Sequence, residues 1–321
     1  MHHRQGLVSS ALVLAVGVLL FISLNGWTWL NDPVERHILV QLRLPVLVTA
    51  IVVGAALSIS AALLQVLLRN PLADPGIIGI SSGASLCAAL VLLTPLITVS
   101  HQYLLPLACF IGASCSALII FYVAKRLKHN TSAVILAGIG VSTLCAAIIG
   151  WLYLFAPPQG LQSLTFWLMG SLHNTNWSML ALVVPVFFLA LMWVFRHVEK
   201  LNWLYLGEYD TKLKGLDSKR FQYSILIVSS LLVAISVSIA GGIAFIGLLV
   251  PHFTRQWLGH DNRLVVGVSG LLGASVLVTC ALLNDILMHA LIPISMLTAT
   301  IGGPLFLWAL LRNNYMRGAD N

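Results

Sequence analysis

The chain has 321 residues, 59% hydrophobic and 8% charged, with a net charge of +7 and a mean hydropathy of +0.96. A soluble domain carries about 25% charged residues, so a water-facing globule is excluded and most of the surface faces lipid. The positive balance falls in the breaks between apolar runs, which makes it a topology signal rather than a nucleic-acid footprint.

In chain order, apolar runs long enough to span a bilayer predict helices over 7–24, 45–68, 77–94, 104–124, 132–154, 179–195, 222–240, 264–283 and 296–311, with a shorter tenth over 243–258. The first has no convincing small-residue cleavage site after it and reads as a membrane helix rather than a signal peptide. Ten crossings with the N-terminus inside place 15 of the 17 Lys and Arg in the cytoplasm and leave only Arg36 and Arg43 outside. Dropping 243–258 would move Arg312 and Arg317 outside, so the charges favour ten. The expected fold class is an all-α polytopic membrane protein with about ten transmembrane helices and both termini cytoplasmic. Residues 1–321 are expected to form a single transmembrane domain.

Two spans carry small residues at every fourth position: Gly54, Ser58 and Ala62, then Gly138, Ser142, Ala146 and Gly150. Such stripes let helix backbones approach closely in lipid, and close packing is the reading preferred over a sliding surface. Cys87, Cys109, Cys115, Cys145 and Cys280 all lie in apolar runs without C-x-x-C spacing, as small buried hydrophobes do.

The breaks between spans carry the chemistry. "RNPLADPGIIGISSGAS", 69–85, is too polar for a plain turn; Arg69 marks the cytoplasmic face, Pro71 and Pro75 stop the second helix, and Gly76 lets the chain re-enter. Gly79, Ser81 and Gly83 match the G-x-S-x-G hydrolase elbow, but that motif needs a strand before the Ser, and this Ser opens a membrane helix. There is no G-x-x-x-x-G-K-[ST], no H-E-x-x-H and no carboxylate cluster. No catalytic residue, metal or cofactor is therefore expected in this chain.

The cytoplasmic stretch 196–221 reads as two short amphipathic helices at the membrane face, a place for membrane lipid or a soluble partner. "SIAGGIAFIGLLVPHFTR", 238–255, puts glycines and Pro-His at membrane depth, as broken helices do where they are buried or line a cavity. His252 within it is read as a packing or hydrogen-bonding residue. The outer side holds Asp32, Glu35, Arg36, Arg43 and, after the ninth span, Asp285; such charges suit a docking protein.

"RLP" (43–45), "RNPLADPGIIGISSGAS", "LAGIGVS" (136–142), "FWLMGSL" (166–172), "LGE…LKGLD" (206–217), "GGIAFIGLLVPHFTR" and "LLGAS" (271–275) together resemble the iron-siderophore/cobalamin (FecCD-type) permeases of ABC importers, in the family's order. The likeness runs from about residue 40 to 311. It implies a permease that pairs with a second permease chain, like or unlike, around a central path. It also implies two cytoplasmic ATPase subunits and a periplasmic substrate-binding protein as partners, in the bacterial inner membrane. By resemblance, Asn70, Leu72, Thr131 and Ser132 form a cytoplasmic gate, and Gly207, Glu208 and Gly215 belong to the ATPase-coupling region, about 196–221. Arg43 is a docking residue for the binding protein, and His289 stands at a further basic docking position.

Some positions depart from the family pattern: Val46 in place of a second docking arginine, Thr211 and Lys214 where small and apolar residues are usual, and Pro293-Ile294-Ser295 for Pro-x-Gly. The change at Val46 raises the expectation of an unlike permease partner. A ferric siderophore is the favoured cargo, with cobalamin and haem as alternatives. The rival class, an ion-coupled secondary carrier, calls for intramembrane charged pairs, for which Asp285 at a span end is the one candidate.

Overall fold

A computed structural model describes residues 2–24, 32–76, 78–93, 101–126, 131–207, 211, 213–287 and 292–318, with backbone alone at 2–5, 22–24, 101–102, 131, 309–310 and 312–318. Described elements are helical. α1 (His2–Leu24) is followed by α2 (Pro33–Ile38), which the Asp32 carboxylate caps by accepting from Val34 N at 2.8 Å. One π-helical turn, Leu39–Arg43, carries α2 without a break into α3 (Leu44–Leu67). Then come α4 (Ile80–Leu93), α5 (His101–Arg126), α6 (Thr131–Phe155), α7 (Pro158–Leu168) and α8 (Trp177–Leu206). The chain continues through α9 (Ser218–Ala240), α10 (Ile246–Leu258), α11 (Asn262–Ile286) and α12 (Ile294–Gly318).

Among the described residues, six helical stretches are long and apolar enough to cross a membrane alone: Pro33–Leu67, Tyr103–Arg126, Ser132–Phe155, Trp177–Leu206, Ser218–Ala240 and Asn262–Ile286. α1, α4 and α12 contribute shorter apolar stretches, and α10 brings the crossings to about ten, as the charges required.

α3 is the hub. Its apolar window is 89% buried, against 22% for α6 and 28% for α5 and for α8. Residues of α3 enter all three apolar clusters: with α4, α5 and α6; with α8, α9 and α11; and with α1, α10 and α11. The Gly54–Ser58 stripe works as expected. The backbones of α3 and α11 meet at Gly54 and Gly273, where a Cβ on either would collide with the other's carbonyl. The second stripe does so only at its cytoplasmic end, where Gly138 lies on the Ile78 backbone; Gly150 faces open space. α6 thus leaves Leu144, Trp151 and Leu154 exposed, a face suited to lipid or another permease. Cys115 is exposed, a correction to the buried reading; Cys109, Cys145 and Cys280 are buried.

The stretch 196–221 is also corrected. α8 runs on through Arg196 and Lys200 to Leu206, so the first amphipathic piece is a continuation of a membrane helix rather than a separate one. Charge ends the membrane span there, but no residue ends the helix until Gly207. α7, packed at the outer side, was not expected either.

Candidate functional site

Two crossings are short. α4 has 14 residues and α10 has 13, roughly 20 Å each against a hydrocarbon core of about 30 Å. Irregular chain completes them, residues 68–76 and 78–79 from the cytoplasmic side and 241–245 from the outer side. Such chain survives at membrane depth only when buried in protein or lining a cavity, and here the two pieces meet.

The cytoplasmic piece begins with a helix stop written in local chemistry. Arg69 takes a left-handed conformation (φ 48); Asn70 N bonds Gln65 O at 3.2 Å and Arg69 N bonds Val66 O at 3.3 Å, a Schellman motif. The helix therefore ends before Pro71. Asn70 Oδ1 then accepts from Leu72 N at 2.9 Å, and Asp74 Oδ2 from Gly76 N at 2.9 Å. Gly79, with φ 84, brings the chain onto the Gly138 carbonyl of α6, and Ser82 Oγ donates to Ser142 Oγ at 3.0 Å. Ser81 lies in the first turn of α4, not after a strand.

The outer piece, 241–245, is fixed by a residue that departs from the family pattern. Ser295 Oγ donates to Gly242 O at 2.6 Å and accepts from Ala244 N at 3.3 Å. Ile294 N and Ser295 N bond the Gly170 and Met169 carbonyls at 3.1 and 3.0 Å. Where the two pieces meet, Asp74, Pro75, Met169, Gly242, Gly247 and Ser295 line a cavity of about 320 Å³. A carboxylate at this depth was not foreseen, since a polar loop residue carries no depth signal. On the outer side a larger cavity, about 650 Å³, is lined by Phe166, Trp167, His173, Asn174, Asn284 and neighbours.

Of the expected gate, Asn70 is exposed and Leu72 half-buried at the cytoplasmic mouth. Ser132 opens α6 and is exposed; the Thr131 side chain lies outside the described residues. The loop touches α6 at Gly138 and Ser142, beginning roughly two turns farther in than these two positions.

In the expected coupling region, Glu208 lies outside the described residues. Gly207 (φ 143) caps α8 and Gly215 (φ 73) sits in the turn after it, both in a region that favours glycine. Thr211 and Lys214 close onto the end of α8: the Thr211 hydroxyl donates to the Trp203 and Gly207 carbonyls, and Lys214 Nζ lies 4.8 Å from the Trp203 ring centroid. The α8 extension is bolted in turn to the α10–α11 turn. Asn202 Nδ2 donates to Asp261 Oδ1 at 2.7 Å, and Asn202 Oδ1 accepts from Asn262 N and Nδ2 at 2.8 Å each. Arg263 pairs with Glu199 at 2.6 Å. His252 is buried, 3.0 Å from Gln256, as a hydrogen-bonding residue.

On the outer face Arg43 is half-buried at the end of the π-helical turn, a segment held to α8 by Trp177 Nε1 donating to Val40 O at 2.7 Å. His289 lies outside the described residues. Val46 is 5% exposed and packs inside the outer cluster, so position 46 does not face a docking partner in this fold.

A multi-helix bundle with two broken crossings meeting at a central cavity defines a membrane transport permease. The chain belongs to the FecCD transport family, whose model matches residues 6–312. It is a permease chain of an ABC transporter and a multi-pass protein of the inner membrane; chains of this kind do not themselves hydrolyse ATP. It is 36% identical to the hemin transport system permease protein HmuU of Yersinia pestis, over 91% of this chain and 88% of the relative. It is also 36% identical to the vitamin B12 import system permease protein BtuC of Vibrio cholerae, over 98% and 97%. A solved structure assigned to the metal-chelate type of ABC transporter, in an inward-facing conformation, matches with a TM-score of 0.87 and 30% identity, over 96% of this chain and 99% of the other.

Proposed function

We propose that this chain is the membrane path of an ATP-driven importer that moves a metal chelate from periplasm to cytoplasm. The single observation behind this reading is whole-chain similarity to two permeases named for hemin and vitamin B12, carried on a fold whose broken crossings meet at a cavity. Both named cargoes are metal macrocycles, which supports a macrocyclic chelate ahead of the ferric siderophore expected from sequence motifs.

Within this reading the whole chain is one transmembrane domain. Asn70 and Leu72, with Thr131 and Ser132, close the cytoplasmic end of the path. Gly207, Glu208 and Gly215 shape the segment that receives two ATPase subunits. Arg43 and His289 face the periplasmic binding protein. A second permease chain covers apolar surface left by the outward helices. The burial of Val46 removes the reason to require an unlike partner, so a self-pair is the simpler assembly.

The test is ATP-driven uptake by the complete transporter in proteoliposomes, loaded in turn with haem, cobalamin and a ferric siderophore on the cognate binding protein. Accumulation of one macrocycle that stops when ATP is withheld is the expected result. Uptake of the siderophore alone would return the cargo to the motif-based expectation. Full-rate transport by the permease without its ATPase would overturn the class.

A further inference from the structure

The cytoplasmic end of the bundle holds a separate cavity of about 450 Å³, walled by α3, the loop after it, the tip of α8, α10 and the turn that follows α10. Its formal charges among the described residues are both cationic, those of Arg69 and Arg255. Arg69, His252, Arg255 and His260 line it beside Gln65 and Asn70, and among the described residues no carboxylate does.

At its inner wall Arg255 is 6% exposed and Gln65 2%. Arg255 Nε donates to Gln65 Oε1 at 3.1 Å and Nη2 to Ala62 O at 3.2 Å. The guanidinium carbon lies 5.9 Å from the Tyr205 ring centroid. These contacts leave Arg255 Nη1 and Gln65 Nε2 without a hydrogen-bond partner. A buried guanidinium is ordinarily matched by an anion, and buried N–H groups by acceptors. Here two adjacent side chains that line the same cavity each keep one fully buried donor unpaired, and the cation meets only neutral partners.

We propose that this cavity binds a phosphate group, either the free anion or the headgroup of an anionic phospholipid. Its oxygens accept from Arg255 Nη1 and Gln65 Nε2, and its charge answers Arg255 at the back and Arg69 at the mouth. A charged guanidinium N–H makes a strong bond to a phosphate oxygen, and several acceptor oxygens on one centre serve both donors at once. A bound phosphate would touch the loop after α3, the α8 tip and the α10–α11 turn together, stiffening the joint between them. This inference does not depend on which chelate the permease carries.

The test uses the full chain purified in a delipidated non-ionic detergent. Inorganic phosphate, against chloride at equal ionic strength, is followed by equilibrium dialysis and by melting temperature; retention of phosphatidylglycerol over phosphatidylcholine is read by native mass spectrometry. Wild type is expected to bind one phosphate group per chain, as phosphate, as phosphatidylglycerol, or as either in competition. Gln65→Glu supplies an internal carboxylate to Arg255, and should weaken binding at least tenfold while the variant melts no lower than wild type without ligand. Arg255→Met should also abolish binding, and Gln65→Glu keeps the test decisive if that variant does not fold. Binding of phosphate alone assigns the site to a free anion, and retention of phosphatidylglycerol alone assigns it to a lipid. Equal behaviour of wild type and Gln65→Glu with both probes would overturn the proposal.

Discussion

Asp74 and Gly247 are in contact across the middle of the bundle: a Cβ on Gly247 would stand 2.8 Å from Asp74 Oδ1 and 3.1 Å from Pro75 Cδ. The re-entrant loop and the first turn of α10 are therefore fitted to each other. Gly247→Ala is expected to destabilise the protein by about 1–3 kcal/mol through overpacking. Asp74→Ala removes the colliding oxygen, so the double variant should lose less than the sum of the two single losses. Thermal unfolding of the four proteins in detergent checks this; strict additivity would show that the contact does not form.

The two glycine stripes should respond in opposite ways. Gly54→Val sets a side chain against the backbone of Gly273 and Ala274, where only a main-chain shift makes room, so low yield and a sharply lower melting temperature are expected. Gly150→Val points into open space and should leave the isolated chain's melting temperature unchanged. Equal tolerance at both sites would contradict the helix packing described above.

Asn202 is the bolt between the α8 extension and the α10–α11 turn. Asn202→Ala strips partners from Asn262, which is fully buried. Stranded buried groups of this kind cost about 1–3 kcal/mol each. In the assembled transporter, cargo-stimulated ATP hydrolysis should fall more than basal hydrolysis. A variant that melts lower with both rates unaltered would confine Asn202 to a structural role.

Acid should act on the outer side through His173. Burial holds its imidazole below the ordinary value, with Asp285 pulling the other way. The folded state thus favours the neutral ring. Its contribution is complete above the unfolded value of about 6.5 and is lost as pH falls from there through the lowered folded value. His173→Asn should flatten the fall in melting temperature between about pH 7.5 and 5; a slope identical to wild type would remove His173 as its source.

Apolar run length and the placement of Lys and Arg were enough to read the crossings and their sidedness. What they could not convey is depth and continuity. Asp74 looks cytoplasmic because it follows Arg69 and Pro71, yet its carboxylate meets Gly247 alongside Ala61, inside the length of α3. Arg196, Glu199 and Lys200 end the oily stretch but are good helix formers, so α8 continues through them. Thr211, Lys214 and Ser295 stood out only as departures from a family pattern. Their use, clasping Trp203 and the unwound 241–245 segment, appears only when distant chain is brought together. Asn70 and Leu72 lie at the cytoplasmic mouth, while the loop packs on α6 farther in, at Gly138 and Ser142.

The unbroken course of α8 has a mechanical corollary. Thirty residues make a rod of about 45 Å. Its outer end is tied at Trp177 to the strip that carries Arg43, and its inner end is tied at Asn202 and Trp203 to the cytoplasmic turns. A rod held within a bilayer can tilt only by swinging its ends in opposite senses. The two aqueous faces of this permease are thus joined by one continuous helix, with the interior Pro185 as its place to bend.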